Sequence, residues 1–230
     1  MDRRPLIIYG NGQMAGLLHQ FASLEFEVVA FTVDQCAIRE STLAGKPVVP
    51  FETLTQHYPP KGHQFITAVG HIQMNRLRSR KYQEAKARGY AFANYIHPSV
   101  VRHPSVSLGE NNVILDHVAI HPFTRIGNGN FICSNASIGH GCTIDDDCLI
   151  NSGVAIAGET HIHSGCFLGV NATIGDNISL GDHCYVGAHT LIVKDTVSGE
   201  VRISPAGERF PLSSDEFLQF IQRARNAPAP

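Results

Sequence analysis

Residues 132–156 read ICSNASIGHGCTIDDDCLINSGVAI, and an isoleucine returns at every sixth position of this stretch. The period extends in both directions, and only Arg102 among its 17 successive positions is not aliphatic. The periodic positions are Ile96, Arg102, Leu108, Ile114, Ile120, Ile126, Ile132, Ile138, Ile144, Ile150, Ile156, Ile162, Leu168, Ile174, Leu180, Val186 and Ile192. A small or compact residue stands four residues after many of them, as at Val118, Thr124, Ala136, Cys142, Cys148, Val154, Cys166, Ala172 and Cys184.

This spacing predicts an all-β domain, a parallel β-helix with three short strands per triangular coil. Each strand directs one aliphatic and one smaller side chain inward, so three hexads make a coil of 18 residues. Successive coils stack at about 4.8 Å, which places residue i beneath residue i+18. An amphipathic helix would instead need a spacing of 3.6 and an ordinary strand a spacing of 2. We expect a left-handed coil, as is typical of hexapeptide repeats, although the period itself does not fix the hand.

The first 95 residues alternate buried strands with helices, which predicts a small α/β domain with a Rossmann-like parallel sheet. Strands are expected at residues 6–9, 28–31, 48–49, 65–69 and 90–95, with helices over 17–24 and 75–88. The chain therefore divides into three parts: a nucleotide-binding domain (1–95), the β-helix (96–198) and a C-terminal extension (199–230). In the extension, a capping box at 213–216 predicts a helix to about Arg225 that covers the open end of the coils, followed by a disordered tail.

A glycine-rich turn at residues 10–16 follows the first strand. Its glycines allow backbone N–H groups to approach an anion at a helix N-terminus. Asp34, 22 residues after Gly12, stands where such units place the acid that meets a ribose hydroxyl. The domain is too short for a full dinucleotide site, so a mononucleotide or nucleotide-linked group is expected, with Gly70 and His71 in the same crevice. The alternative, that the turn only packs a helix against a strand, stays open.

Composition excludes several classes of function. The chain has 230 residues, a net charge of −2 and 43% hydrophobic residues. No basic stripe suggests a nucleic acid partner, and no apolar run approaches the about 18 residues of a membrane span. The start of the chain does not resemble a signal peptide, so we expect a cytoplasmic protein. The inward cysteines are expected to be free thiols that act as compact hydrophobic residues.

The 13 histidines are a high number, and most are expected on the solvated coil surface. His161 and His163 flank the inward Ile162 and both point outward, which permits a metal pair. No third ligand is visible, and no metal is expected. By periodicity alone, His140 is one more exposed histidine.

The chain resembles the bacterial sugar acetyltransferases of the sialic acid O-acetyltransferase and bacillosamine-pathway N-acetyltransferase group. The resemblance rests on the order of several segments along almost the whole chain. These segments are the strand and glycine turn at 7–16, VVAFTVD at 28–34, GKPVVPF at 45–51, YIHPS at 95–99, FLGVNATI at 167–174 and VKD at 193–195. The resemblance implies a trimer that transfers an acetyl group from acetyl-CoA to the amine or hydroxyl of a nucleotide-linked amino sugar, with N-acetylation preferred.

The resemblance also implies roles for individual residues. His140 matches the general base, which takes a proton from the sugar nucleophile as it attacks the thioester. The residues that match the nucleotide-sugar site are Gly10, Gly12, Gln13, Met14 and Asp34. The residues expected to contact CoA are Gly158, Val170, Ala188 and Lys194, with Lys194 directed to a CoA phosphate.

Two departures from the family pattern affect the active site. Some members carry an acid directly after the base, where this chain has Gly141. An orienting group must therefore come from elsewhere, and Asp116 or the region of Asn135 is expected to supply it. Some members also have a histidine that contacts the acetyl carbonyl, where this chain has Leu149. Asn151 is expected to replace it as a hydrogen-bond donor.

The 17 hexads contain no insertion, so no long loop can form a lid over the coil surface. We therefore expect neighbouring subunits of a homotrimer to enclose the active sites. Aromatic residues between the inward positions are expected to be exposed for these contacts, namely Phe123, Phe131, Phe167 and Tyr185. Two other functions are considered: a metal-dependent hydratase of the γ-carbonic anhydrase type, which needs three converging histidines at a subunit seam, and a non-catalytic nucleotide-binding scaffold.

Overall fold

The computed structural model describes residues 4–226, and its N-terminal part is a six-stranded sheet with helices on both faces. The strands are β1 (Arg4–Tyr9), β2 (Phe26–Val33), β3 (Thr42–Leu43), β4 (Lys46–Pro50), β5 (Gln64–Thr67) and β6 (Ala91–Phe92), in the order β3-β4-β2-β1-β5-β6. All neighbours are parallel except the short β3, which pairs with β4 in antiparallel fashion. The helices are α1 (Gln13–Ala22), α2 (Leu54–His57) and α3 (Arg76–Ala87). The predicted α/β domain with a parallel sheet is confirmed.

The rest of the chain is a parallel β-helix with three faces of two-residue strands. The first face has Tyr95–Ile96, Val113–Ile114, Phe131–Ile132, Leu149–Ile150, Phe167–Leu168, Tyr185–Val186 and Val201–Arg202. The second face has Val101–Arg102, Ala119–Ile120, Ser137–Ile138, Ala155–Ile156, Thr173–Ile174 and Leu191–Ile192. The third face has Ser107–Leu108, Arg125–Ile126, Thr143–Ile144, His161–Ile162 and Ser179–Leu180. The predicted fold is confirmed, and strands pair with the strand 18 residues later, except that Tyr185–Val186 pairs with Val201–Arg202, 16 residues on.

The interior of the coils is built from the periodic aliphatic residues and the small residues between them. Cys142, Cys148, Cys166 and Cys184 are buried free thiols, as predicted from their inward positions. The Cys148 thiol donates a hydrogen bond to the carbonyl of His163 at 3.2 Å, and Cys142 and Cys166 make the corresponding contact with the coil above. Each thiol therefore fills core volume and satisfies a carbonyl group at a corner of the coil.

The N-terminal domain covers the first face of the β-helix through one shared hydrophobic cluster. Leu18 and Ile66 of the sheet domain belong to this cluster together with Phe131, Leu149 and Phe167 of the coils. The prediction that Phe131 and Phe167 are exposed is wrong, since they are only 1% and 9% exposed. The period correctly places both side chains on the outside of the coil. They are buried because the sheet domain packs on that face.

Buried polar contacts complete this interface. The guanidinium of Arg78, on α3, is buried and donates to the carbonyl oxygens of Val69 at 3.2 Å and of Asp147 at 2.6 Å. The side chain of Asn111 accepts a hydrogen bond from the backbone N–H of Thr67 and donates one to its hydroxyl, both at 2.8 Å. Such contacts have fixed directions, so they set the position of the sheet domain on the coils.

The C-terminal helix α4 (Ser214–Asn226) begins at the predicted capping box. The carboxylate of Glu216 accepts hydrogen bonds from the backbone and the hydroxyl of Ser213 at 2.8 and 2.7 Å. Phe217, Leu218 and Phe220 remain exposed, so α4 does not cover the end of the coils in this single chain as expected. The predicted disordered tail lies outside the described residues, apart from Asn226. None of the described helices is long and apolar enough to cross a membrane.

Candidate functional site

A cavity of about 360 Å³ opens at the carboxyl ends of β1, β2 and β5. The five residues predicted to bind a nucleotide-sugar all line this cavity, namely Gly10, Gly12, Gln13, Met14 and Asp34. Gly70, expected in the same crevice, lines it as well. This is the position at which open parallel sheets bind ligands. The cavity also has apolar walls, including Val33 and Ile72. His71 is not among the lining residues and instead packs its ring 4.7 Å from that of Phe167.

The two glycines at the start of the turn differ in what they contribute. Gly10 has a φ of +141°, and a methyl group there would lie 2.5 Å from the carbonyl oxygen of Ala68. Gly12 is the N-cap of α1 in extended conformation, and a methyl group there would have no neighbour within 4 Å. Gly10 is therefore required by the fold, whereas Gly12 leaves open space in front of the positive end of α1.

Asp34 lines the cavity but also forms an ion pair with Lys81 of α3, at 2.6 Å. Lys81 is nearly buried and lies 5.1 Å from the ring centroid of Phe51. Burial, and next the negative charge of Asp34, raise the pKa of the Tyr9 hydroxyl well above its usual range. Lys81 and Tyr9 thus fix Asp34 at the cavity wall, an arrangement that the sequence did not reveal.

His140 lies at the corner between the second and third faces, and its side chain is 63% exposed. The same position in later coils is held by Gly158, Asp176 and Lys194, and we call this column the His140 corner. The imidazole ring lies over Gly158, where a methyl group would be only 2.4 Å from its Cε1 atom. Gly158, expected to contact CoA, therefore also makes room for the ring of His140.

A carboxylate does accompany His140, but it comes from the next coil. An oxygen of Glu159 lies 3.8 Å from Nε2 of His140. A side chain on Gly141 would collide with this carboxylate, since its Cβ would be 2.4 Å from Oε1 of Glu159. Asp116, which was expected to orient the base, lies at a different corner of the same chain and accepts a hydrogen bond from the hydroxyl of Ser134 one coil above it. Glu159 was not among the expected orienting residues, because it stands 19 residues after the base, in the next coil.

The remaining residues predicted to bind CoA occupy two corners. Val170 and Ala188 are exposed one coil apart at the corner between the first and second faces, here called the Val170 corner, and Lys194 is exposed at the His140 corner. Asn151 is half-buried, and its amide group donates to the carbonyl oxygen of Leu168 at 2.7 Å. One of its two N–H donors is therefore already in use, which weakens the case for Asn151 as a donor to the acetyl oxygen.

One chain does not bring these groups together. The sheet domain and its cavity lie on the first face, whereas His140 occupies the corner opposite that face. The Val170 corner adjoins the first face, so it is near the sheet domain of its own chain. Within one chain, therefore, His140 lies on the far side of the coils from the cavity.

A further group of chemically reactive side chains lies on the third face. Asp145, His161 and His163 each offer a ligand atom, and these atoms are within 4.8 Å of one another. The predicted histidine pair therefore has a third member, which stands 18 residues before His163. The 18-residue register would have identified it from the sequence.

Comparisons with known proteins agree with this architecture. Residues 123–158 and 159–194 match the family model described as bacterial transferase hexapeptide (six repeats). A histidine-to-asparagine variant of perosamine N-acetyltransferase from Caulobacter crescentus, in complex with CoA and GDP-perosamine, is 29% identical with a TM-score of 0.78, covering 87% of this chain and 93% of that one. The acetyltransferase domain of PglB from Neisseria gonorrhoeae, in complex with acetyl coenzyme A, is 22% identical with a TM-score of 0.80, covering 88% and 97%.

The chain thus carries the repeats of bacterial hexapeptide transferases, and its sheet domain and coils together have the fold of bacterial sugar N-acetyltransferases. The predictions of the fold and of a CoA-dependent acyltransferase are supported by these likenesses. The roles of the individual site residues stay predictions.

Alanine substitutions separate the two roles of the glycine turn. Gly10→Ala should lower the free energy of unfolding by about 2–3 kcal/mol, because it combines a strained φ with a collision against the backbone. Gly12→Ala, the matched control, should lower it by less than about 1 kcal/mol. Urea unfolding of both variants and the unmodified protein measures the difference. If both substitutions lowered the free energy of unfolding equally, Gly12 would be needed for the fold and would not simply border the open cavity.

Proposed function

We propose that the protein transfers the acetyl group of acetyl-CoA to the amino group of a nucleotide-linked amino sugar. The observation that carries the proposal is the likeness, over most of both chains, to an enzyme whose structure holds CoA and GDP-perosamine together. The cavity at Gly12 is suited to the nucleotide because it combines apolar walls with the positive end of α1. We further propose that the product serves surface polysaccharide synthesis and that the reaction takes place in the cytoplasm.

His140 is proposed as the general base of a direct transfer. Its imidazole accepts a proton from the sugar amine as the nitrogen attacks the thioester carbonyl, and the C–S bond then breaks to release CoA. The proton taken up by His140 passes to the departing thiolate, so no acyl-enzyme forms. An exposed imidazole with a carboxylate 3.8 Å from Nε2 is suited to this exchange, since Glu159 stabilises the transient imidazolium.

The proposed active site lies between subunits of a trimer. The outward positions of the second face carry uncharged side chains in successive coils, three small ones followed by a leucine: Ser137, Ala155, Thr173 and Leu191. If this face turns toward a threefold axis, the His140 corner of one subunit meets the Val170 corner and the cavity of the next. Acetyl-CoA would then lie between the two corners, in contact with Gly158 and Lys194 on one side and Val170 and Ala188 on the other.

The alternative functions have less support. A γ-carbonic anhydrase-type hydratase requires three converging histidines, whereas the metal-ligand group found among residues 4–226 has two histidines and a carboxylate. A scaffold that only binds nucleotides would leave the His140 corner without a role. It predicts nucleotide binding with no affinity for CoA.

Replacement of His140 tests the base directly. His140→Ala should lower the rate of thiol release from acetyl-CoA about 10²–10⁴-fold, because the amine loses its proton acceptor. The assay is run against UDP-, dTDP-, GDP- and CMP-linked amino sugars, and gel filtration checks that the oligomer persists. His57→Ala, an exposed histidine of α2, is the control and should keep full activity. Retained activity in His140→Ala would exclude the proposed base.

Replacement of Glu159 tests the carboxylate from the neighbouring coil. Glu159→Gln should lower kcat about tenfold, because the base is held less firmly for proton transfer. The KM values for both substrates should not change, since Glu159 is proposed to contact the base and neither ligand. Glu27→Gln, an exposed acid on β2, is the control. An unchanged kcat, or an effect confined to KM, would argue against a positioning role.

Complementation tests whether the site is shared. Gly12→Asp should prevent nucleotide binding by placing a carboxylate in the cavity, and His140→Ala removes the base. Mixed trimers of the two inactive variants should regain about one quarter of the unmodified activity, because random assembly pairs an intact base with an intact neighbouring cavity at that frequency. A site within one chain would give no recovery, even though the mixed trimers form.

A further inference from the structure

We propose that Asp145, His161 and His163 bind one divalent first-row transition metal ion, with Zn²⁺ as the physiological choice, on the third face of the β-helix. The donor set is two imidazoles and one carboxylate, and Zn²⁺ is commonly held by such a set with a water molecule in the fourth position. Direct acetyl transfer by His140 does not need this metal. The site is therefore an addition to the proposed function and is independent of it.

The spacing of the donor atoms fits a single ion. Oδ2 of Asp145 lies 2.9 Å from Nε2 of His161 and 3.2 Å from Nδ1 of His163. An ion at about 2.0–2.2 Å from each ligand requires donors separated by about 3.0–3.5 Å. The side chains thus need little rearrangement to bind a metal. The bound ion takes the place of the protons that the imidazoles share with the carboxylate.

The repeat brings these residues together and holds their backbone. His161 and His163 stand on either side of the inward Ile162, which is fully buried. Asp145 occupies the equivalent position to His163 one coil below, and the pairing of Thr143 with His161 fixes the register. The two imidazole rings lie with their centroids 3.8 Å apart. The ladder of backbone hydrogen bonds therefore holds the backbone of the three residues in a fixed relation.

The surroundings also suit a metal ligand set. Nε2 of His163 lies 3.3 Å from the hydroxyl oxygen of Ser179, one coil above. This contact orients the ring so that Nδ1 faces Asp145 and His161 as the ligand atom, as outer partners of metal-bound histidines do. The three side chains are each between a third and two-fifths exposed, so water can complete the coordination. The nearby guanidinium of Arg125 is directed to the hydroxyl of Thr143, at 3.0 Å.

The test is titration of chelator-treated, tag-free protein with Zn²⁺, and separately with Co²⁺ as a spectroscopic probe. We expect saturation at one ion per chain and a visible Co²⁺ spectrum that indicates nitrogen and oxygen ligands. Asp145→Asn and His163→Ala each remove a ligand atom and should weaken Zn²⁺ binding by more than about 100-fold. This exceeds the about 10–100-fold loss that follows removal of a residue that only supports a ligand. Ser179→Ala, which removes only such a partner, should weaken it by about tenfold.

The control is His57→Ala, which removes an exposed histidine that lies far along the sequence from the cluster and should leave Zn²⁺ affinity unchanged. Circular dichroism and gel filtration establish that each variant is folded, and Asp145→Asn is the most conservative because it keeps the size of the side chain. Absence of saturable binding to the unmodified protein would overturn the proposal. Binding that survives in both Asp145→Asn and His163→Ala would overturn it equally, because the ion would then be held elsewhere.

Discussion

The ladder of hydrogen bonds between coils is the constraint on which the rest of the molecule depends. In each face, the backbone N–H of one residue donates to the carbonyl 17 positions later, as from Leu149 to Cys166 at 2.8 Å and from Ser137 to Val154 at 2.9 Å. Within the regular coils, a change of length by one residue would turn the inward side chains of a strand to the surface. The repeat therefore fixes which positions form columns, and each column has one constant environment.

The three faces acquire different roles because the sheet domain covers only the first. Its contacts with Phe131 and Phe167, and the buried hydrogen bonds of Arg78, make the cavity and the coils one rigid unit. The cavity is consequently tied to the first face, whereas His140, whose ring lies over Gly158 of the next coil, is at the opposite corner. The proposal of a site shared between subunits follows from this separation, because the sheet domain packs on one face and the proposed base lies away from it.

The sequence was sufficient for features that depend on the column rule alone. It predicted the inward cysteines and the uninterrupted coils, and the glycine turn together with the family resemblance identified five residues that line one cavity. It was insufficient where a second element approaches an outward position, as when the sheet domain covers Phe131 or Lys81 of α3 pairs with Asp34. Those contacts join residues far apart in sequence with no repeating relation. Asp145 and Glu159 are an intermediate case. Asp145 stands 18 residues before His163, in the same column, and Glu159 stands 19 residues after His140, in the column next to it. Both could therefore be found by aligning the sequence of one coil with that of the next.

Glycines in the corner columns explain how Glu159 can approach His140 from the next coil. At a corner of the coil, a side chain occupies the volume outside its own backbone. A glycine leaves that volume empty, so that a side chain from the coil above or below can enter it. His140 occupies the space over Gly158, and Glu159 occupies the space beside Gly141. The two glycines thus allow a base on one coil and an acid on the next to approach each other, each taking the volume that the other coil has left free. The absence of an acid beside His140 is, in this geometry, the condition that admits one from the following coil.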